Sequence, residues 1–233
     1  MDLIRALWNL VLNRGTRRIS LFQTGTPKPV NPILPGALHT LHEPGGALIK
    51  DVFWVETHPL ESSRVYGVGE NWHLVQKRSL KLRSKLRALS YGDEIEKAIV
   101  RYGRALDEAD ARSSFNRVWS VLEYLTNSIG AYDTLISRSS FLATDRERTL
   151  VRMILQHLRD VRNAVVHADE ERSNMNAYLY ELKFITEWLI FFHLNEGKLF
   201  GSRARAAEYL DTPTDRRLLL ERIGDYRRAL RRR

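Results

Sequence analysis

The stretch FNRVWSVLEYLTNSI, residues 115–129, repeats large apolar side chains at intervals of three and four residues. That spacing places them on one face of an α-helix and leaves the remaining surface mostly polar. Ser113 or Ser114 is suited to cap the start of such a helix. The stretch therefore predicts an amphipathic helix with one buried stripe, which consists of Phe115, Val118, Trp119, Leu122, Leu125 and Ile129.

Three further segments show the same periodicity. They cover roughly residues 93–110, a segment that starts near Asp145 and a segment that starts near Asn174. Amphipathic helices of this length, joined by short loops, bury their stripes best against one another. We therefore expect a mainly α fold built on a four-helix up-down bundle. The stripes of the three segments are Ile95, Ile99, Tyr102 and Leu106; Val151, Ile154, Leu155, Leu158, Val161 and Val165; and Tyr178, Leu179, Leu182, Ile185, Trp188, Leu189 and Phe192.

Composition shifts divide the chain into three regions, 1–75, 76–200 and 201–233. The first begins with a helical pattern over residues 2–13 and continues through a stretch that holds five of the seven prolines, where regular helix is disfavoured. Its last part, residues 47–75, has the β-branched and aromatic character of a short hairpin. We expect an irregular, partly β N-terminal region in front of the helical bundle.

The third region predicts a basic helical arm. Thr212-Pro213 is suited to start a helix, and the apolar residues that follow form one narrow line. The other faces are crowded with arginine. The arm is either an electrostatic contact for RNA or DNA or a solvated terminal helix. The apolar line consists of Leu219, Ile223, Tyr226 and Leu230.

The charge balance favours a polyanionic partner. The 233-residue chain has 37 Lys and Arg against 28 Asp and Glu, a formal net charge of +9, and only eight of the basic residues are lysine. Guanidinium groups suit phosphate, although coding bias also raises arginine content. The chain has no cysteine, which excludes disulfides, thiolate catalysis and zinc sites with Cys ligands.

We expect a cytoplasmic protein that uses no membrane, metal or cofactor. The sequence has no apolar stretch long enough for a membrane span, and its first residues lack the pattern of a secretory signal. Four histidines are scattered through the first region without the helical spacing and carboxylate partner of a metal site. These histidines are His39, His42, His58 and His73.

Arg162 breaks the pattern of the predicted third bundle helix. On a helical wheel it falls inside the apolar stripe, between Val151 and Leu155. A guanidinium there costs several kcal/mol if it has no partner, so it either pairs internally or borders a polar cleft. Asn163 and His167 are four positions apart, so they lie on the same side of the helix, facing away from the stripe that holds Arg162. This arrangement predicts a distortion near the helix end or a second subunit that covers the other face.

The string Arg162-Asn163-Ala164-Val165-Val166-His167 resembles the Arg-Asn-x-x-x-His motif of HEPN domains. In that family the motif lies toward the end of the third helix of a four-helix bundle. Two other stretches, FNRVWSVLEYL and LVRMILQHLRDV, resemble the Apea-like branch. The resemblance covers roughly residues 90–197, and no family resemblance is found in residues 1–75.

The resemblance implies a metal-independent endoribonuclease, acting in antiviral defence or as a toxin, whose two subunits border one cleft. His167 would exchange protons with the ribose 2′-hydroxyl or the leaving oxygen, and Arg162 would neutralise charge on the phosphoryl oxygens. Asn163 would orient the phosphate or the imidazole. The implied partners are RNA, a second copy of the chain and a regulatory protein or other trigger. The alternative is a non-catalytic helical scaffold that binds RNA, a nucleotide or a protein.

Glu123 is the predicted internal partner of Arg162. It lies at the rim of the stripe of its helix, next to Trp119, and it matches a Leu-Glu position of the family pattern. On this hypothesis the carboxylate holds the guanidinium in place for catalysis. The alternative is an ordinary boundary glutamate that faces water.

Overall fold

The computed structural model describes residues 2–14, 29–36, 38–55, 71–165 and 175–232. These residues form a mainly α structure with one short two-stranded sheet, which confirms the predicted mainly α class. The helices are α1 (Asp2–Asn13), α2 (Trp72–Arg87), α3 (Gly92–Ala105), α4 (Ala111–Leu125), α5 (Tyr132–Phe141), α6 (Asp145–Val165), α7 (Met175–Glu196), α8 (Arg203–Tyr209) and α9 (Arg216–Leu230). The strands are β1 (Leu38–His42) and β2 (Leu48–Val55).

The predicted stripes of α3, α4, α6 and α7 supply about half of the buried residues in the described hydrophobic core. Helix α4 packs against α3 and α7, and α6 packs against α5 and α7. Trp119 and Phe115 are among the largest fully buried side chains. Burial of these stripes is the main source of stability, because apolar area removed from water contributes about 25 cal/mol per Å².

Helix α4 differs from its prediction at both ends. Its N-cap is Asp110, whose carboxylate accepts a hydrogen bond from the backbone N–H of Ser113. The helix ends at Leu125, and Asn127 adopts a left-handed conformation with φ 51°. The predicted stripe position Ile129 therefore lies beyond the helix and is 75% exposed.

Helix α5 was not predicted from the sequence. Its ten residues, YDTLISRSSF, bury Leu135 and Ile136 together with two serines, Ser139 and Ser140. Buried serines interrupt the apolar periodicity on which helix prediction depends. The helix packs against α6 and brings Tyr132 toward the end of that helix.

The hairpin combines strands that the sequence pattern did not pair. Strand β2 lies in the predicted β segment, but its antiparallel partner is β1, which lies upstream of residue 47. Gly46, with φ 88°, supplies the left-handed residue in the connection, and the backbone N–H of Glu43 donates to the carbonyl of Ala47. The rest of the segment predicted to form a hairpin includes RVYGVG, residues 64–69, which lies outside the described residues.

The first helix belongs to the same hydrophobic core as α3, α4, α6 and α7. Leu7 and Leu10 of α1 are buried, and α1 packs against α2 and α3. Arg5 forms a two-pronged ion pair with Asp107 just after α3, with both N–O distances 2.7 Å. Helix α1 is therefore fixed to α2 and α3 by apolar packing and to the segment after α3 by charge.

The C-terminal arm contains two helices. Helix α8 has an N-cap serine, Ser202, and α9 begins after Asp215, whose carboxylate accepts from the backbone N–H of Arg217. The predicted helix start at Thr212-Pro213 therefore lies in the connection, three residues before α9. No residue of α9 is buried within the described part of the chain.

Candidate active site

Arg162 lies in the last turn of α6, at the edge of the buried face of that helix. Leu155, Leu158 and Val161 on this face are buried in the core, whereas 27% of the Arg162 side chain is exposed. The guanidinium is therefore neither sealed in the core nor fully solvated. It lies at the boundary, where it can combine internal partners with access from solvent.

Two polar groups from neighbouring helices contact the guanidinium. Its Nη1 donates a hydrogen bond to the hydroxyl of Tyr132, at the start of α5. Its Nη2 lies 3.9 Å from Oε1 of Glu123 in α4. The predicted contact between Glu123 and Arg162 is present. The Glu123 carboxylate also accepts a hydrogen bond of 3.1 Å from the indole N–H of Trp119.

Two aromatic rings complete this environment. The guanidinium carbon lies 5.6 Å from the ring centroid of Trp119 and 5.5 Å from that of Tyr132. The two rings meet edge to face, with their centroids 6.3 Å apart. Cation–π contacts of this length stabilise a cation by about 0.5–1 kcal/mol at exposed sites. Residues of α4 and α5 thus fix one positive charge on α6; we call Glu123, Trp119 and Tyr132 the Arg162 cage.

The other two predicted site residues are Asn163 and His167. Asn163 follows Arg162 on α6 and is exposed. His167 lies outside the described residues, as does the predicted distortion near Val166. The structure therefore brings Glu123 and Arg162 together, and their relation to His167 stays a prediction.

Sequence reasoning missed part of the cage. Trp119 was assigned to the stripe of α4, and its distance of four residues from Glu123 was the available signal for their hydrogen bond. Tyr132 gave no comparable signal, because α5 lacks a clear apolar stripe and its contact with Arg162 spans 30 positions of sequence.

Within the described ranges, no group of three or more His, Cys, Asp or Glu side chains has the arrangement of a metal site. No helix in the described part of the chain is both long and apolar enough to cross a membrane.

Comparisons of the chain with protein-family models, with curated proteins and with solved structures find no match.

Proposed function

We propose that this protein is a metal-independent endoribonuclease of HEPN type, which cleaves RNA through attack of the ribose 2′-hydroxyl. The proposal includes a homodimer in the cytoplasm that acts in antiviral defence or as a toxin. The observation that supports it best is Arg162, a partly exposed cation at the edge of the core, fixed by the Arg162 cage five residues before His167. The net charge of +9 also suits an RNA partner.

The proposed roles follow from the chemistry of each group. Arg162 neutralises the charge that develops on the phosphoryl oxygens, and His167 transfers protons to or from the ribose 2′-oxygen and the leaving 5′-oxygen. Asn163 orients the phosphate or the imidazole. Glu123 does not contact RNA in this proposal; it is a positioning residue that keeps the guanidinium in place.

RNA contains its own nucleophile, so these groups suffice for strand cleavage. The 2′-oxygen forms a bond to phosphorus as the bond to the 5′-oxygen breaks, and the proton lost by one oxygen is balanced by the proton gained by the other. A positioned general acid or base contributes about 10²–10⁴-fold, and a preorganised charge donor about 10²–10³-fold. Histidine suits the proton transfer, because its ordinary pKa of about 6.5 allows both forms near neutral pH.

The test is cleavage of a labelled RNA by the purified chain in EDTA. We expect cleavage by the unaltered protein and at least a roughly hundredfold loss in Arg162→Ala and in His167→Ala. Arg159→Ala is the matched control, because Arg159 lies one turn earlier on α6 and pairs with Asp160 instead of the cage. We also expect expression of the unaltered chain, but not of His167→Ala, to arrest growth of the host. Cleavage that requires a divalent metal, or the absence of both cleavage and growth arrest, would contradict the proposal.

One observation favours the second candidate function, a non-catalytic scaffold. Glu123 and Tyr132 already contact Arg162, and such contacts can stabilise a bundle without any substrate. A scaffold predicts that RNA or protein binding continues unchanged in His167→Ala and that no RNA is cleaved. The nuclease predicts that His167→Ala binds RNA but has lost cleavage that the unaltered chain performs.

A further inference from the structure

Helix α9 presents an apolar line that begins at the half-buried Leu219 and is exposed over the rest of its length, as far as the described part of the chain shows. Leu219, Ile223, Tyr226 and Leu230 are separated by four, three and four residues, which is the spacing of a coiled-coil seam. Ile223, Tyr226 and Leu230 are 44%, 68% and 73% exposed. We call these four residues the α9 seam. A helix of 15 residues is marginal on its own in water, so a partner on the seam would stabilise it.

Arginines flank the α9 seam. On a helical wheel Arg222 lies about 60° to one side of Leu219 and Arg227 about 80° to the other. Neither forms an ion pair with another described residue. The acids of the helix, Glu221 and Asp225, lie away from the seam, and Asp225 pairs with Arg228 on the far face. The seam is thus bordered by positive charge that this part of the chain does not neutralise.

The positive charges beside the α9 seam distinguish between three possible ligands, namely a second copy of the chain, a nucleic acid and an acidic helix. A parallel second copy would set Arg222 against Arg227, and an antiparallel copy would offer neither of them an acid. A nucleic acid would neutralise the arginines but would leave the apolar line in water. An acidic amphipathic helix satisfies both features, because its apolar positions cover the seam and its carboxylates face the arginines.

We propose that the α9 seam is a docking site for an acidic amphipathic helix of a partner protein, with Arg222 and Arg227 selecting the charge of that partner. The proposal goes beyond the nuclease function and does not depend on it. It concerns a surface on a different helix from the Arg162 cage, so binding at the seam and RNA cleavage are measured separately.

The probe is a synthetic helix of three heptads with Ile and Leu on its apolar line and Glu at the flanking positions. A second peptide has Lys at the same flanking positions. Fluorescence anisotropy with the full chain at physiological salt measures both affinities. We expect the acidic peptide to bind at least about tenfold more tightly than the basic peptide, because only the acidic one complements Arg222 and Arg227.

Charge reversal provides the sharper test. Arg222→Glu combined with Arg227→Glu should reverse the preference, so that the basic peptide binds more tightly. Arg217→Glu combined with Arg228→Glu changes the net charge equally on the opposite face and should keep the original preference. Ile223→Ser should weaken both peptides, and circular dichroism confirms that each variant folds.

Several results would overturn the proposal. Equal affinity for the two peptides would show that the charges beside the seam do not select the partner. If the opposite-face variant lost the preference for the acidic peptide as fully as the Arg222 and Arg227 variant, the attraction between charges would be unspecific. Sedimentation that reveals self-association lost in Ile223→Ser would assign the seam to a second copy. Binding of RNA or of anionic lipid vesicles through Arg222 and Arg227, with no binding of the acidic peptide, would assign it to those ligands.

Discussion

At the scale of single residues, Arg162 combines a permanent positive charge with partial burial, and these two properties oppose each other. Placing a guanidinium at the edge of a core removes part of its hydration, which is unfavourable. The hydroxyl of Tyr132, the carboxylate of Glu123 and two aromatic rings offset this loss. A cation held in this way needs little reorganisation when charge develops beside it, which is the condition for electrostatic catalysis.

Tyr132→Phe tests the cage without removing its aromatic ring. The variant deletes the hydroxyl that accepts from Arg162 and keeps the edge-to-face contact with Trp119. We expect kcat for RNA cleavage to fall about tenfold with little change in KM, because the cation is present but less precisely held. Tyr209→Phe, which removes a hydroxyl outside the cage, is the control. An unchanged kcat in Tyr132→Phe would exclude a positioning role.

His193 gives a second prediction, concerning pH. Its Nε2 donates to the carbonyl of Leu125 at 3.1 Å, and its Nδ1 accepts from the hydroxyl of Tyr91 at 3.1 Å. Burial lowers the pKa of His193 to about 4. Since the unfolded chain binds this proton near pH 6.5, the contribution to stability is complete above that pH and is lost as the pH falls toward 4.

The measurement compares urea unfolding at pH 7 and at pH 4.5 for the unaltered chain and for His193→Gln. Glutamine can donate to the same carbonyl but does not titrate. We expect the loss of unfolding free energy between the two pH values to be smaller in the variant by about 2 kcal/mol. Equal losses would show that His193 has the same pKa in the folded and the unfolded chain, which would contradict the lowered pKa.

At the scale of elements, three helices converge on the C-terminal end of α4. The carbonyl of Leu125 accepts from His193 of α7, those of Thr126 and Asn127 accept from Arg138 of α5, and that of Tyr124 accepts from Arg203 of α8. Cationic donors at this end also complement the helix dipole. The end of α4 is therefore a polar junction that fixes the helices around it.

Arg138→Met tests this junction. Besides the two carbonyls, Arg138 binds both oxygens of Asp211, at 2.8 and 2.6 Å, and its side chain is mostly buried. Hydrogen bonds from a charged group contribute about 1.5–3 kcal/mol, so we expect a loss of at least about 2 kcal/mol of unfolding free energy. Arg228→Met removes an exposed pair with Asp225 and should cost less than about 1 kcal/mol. Equal effects of the two variants on chemical denaturation would contradict this account.

The same elements show what sequence could predict of the fold. Helices α4, α6 and α7 were predicted because long apolar stripes leave little ambiguity. Helix α5 was missed since Ser139 and Ser140 occupy its buried face, and close packing there depends on the shape of neighbouring helices. The partner of β2 was missed because proline-rich sequence disfavours helix without indicating which of its residues pair as strand.

The candidate site, like the fold, was predicted only in part. A cation on an apolar stripe requires a partner, and two helical wheels together with the Leu-Glu position of the family pattern identified Glu123 as that partner. Tyr132 could not be identified in this way, because its position depends on a helix that the apolar pattern does not reveal. Local periodicity thus finds the residue that breaks the pattern but not every group that compensates for it.

At the scale of the whole molecule, a buried polar network joins α1, α3 and α7. Lys183 and Glu187 form an ion pair of 2.9 Å within the core. Lys183 also donates to the carbonyl of Asn13 at 2.9 Å, and the hydroxyl of Tyr102 donates to Glu187 at 2.8 Å. Burial raises the pKa of Glu187, although Lys183 and Tyr102 oppose the shift. The pairing of these groups specifies how the three helices meet.

Lys183→Met removes one half of the pair and leaves Glu187 buried without its cation. We expect the unfolding free energy at neutral pH to fall by about 3–5 kcal/mol. The deficit should shrink as the pH is lowered, because protonation of Glu187 removes the buried charge. Adding Glu187→Gln should recover much of the loss, since the amide still accepts from Tyr102. A double variant no more stable than Lys183→Met would show that the charge is not the cause.

The most direct test of the central claim is the chemistry at the ends of the cleaved RNA. Mass spectrometry of fragments produced in EDTA should find a 2′,3′-cyclic phosphate on one fragment and a 5′-hydroxyl on the other. A 2′-deoxy nucleotide at the cleavage site should block the reaction, and Arg162→Ala should produce neither fragment. Fragments with a 3′-hydroxyl and a 5′-phosphate, or cleavage at the deoxy position, would contradict attack by the 2′-hydroxyl and the function proposed for Arg162.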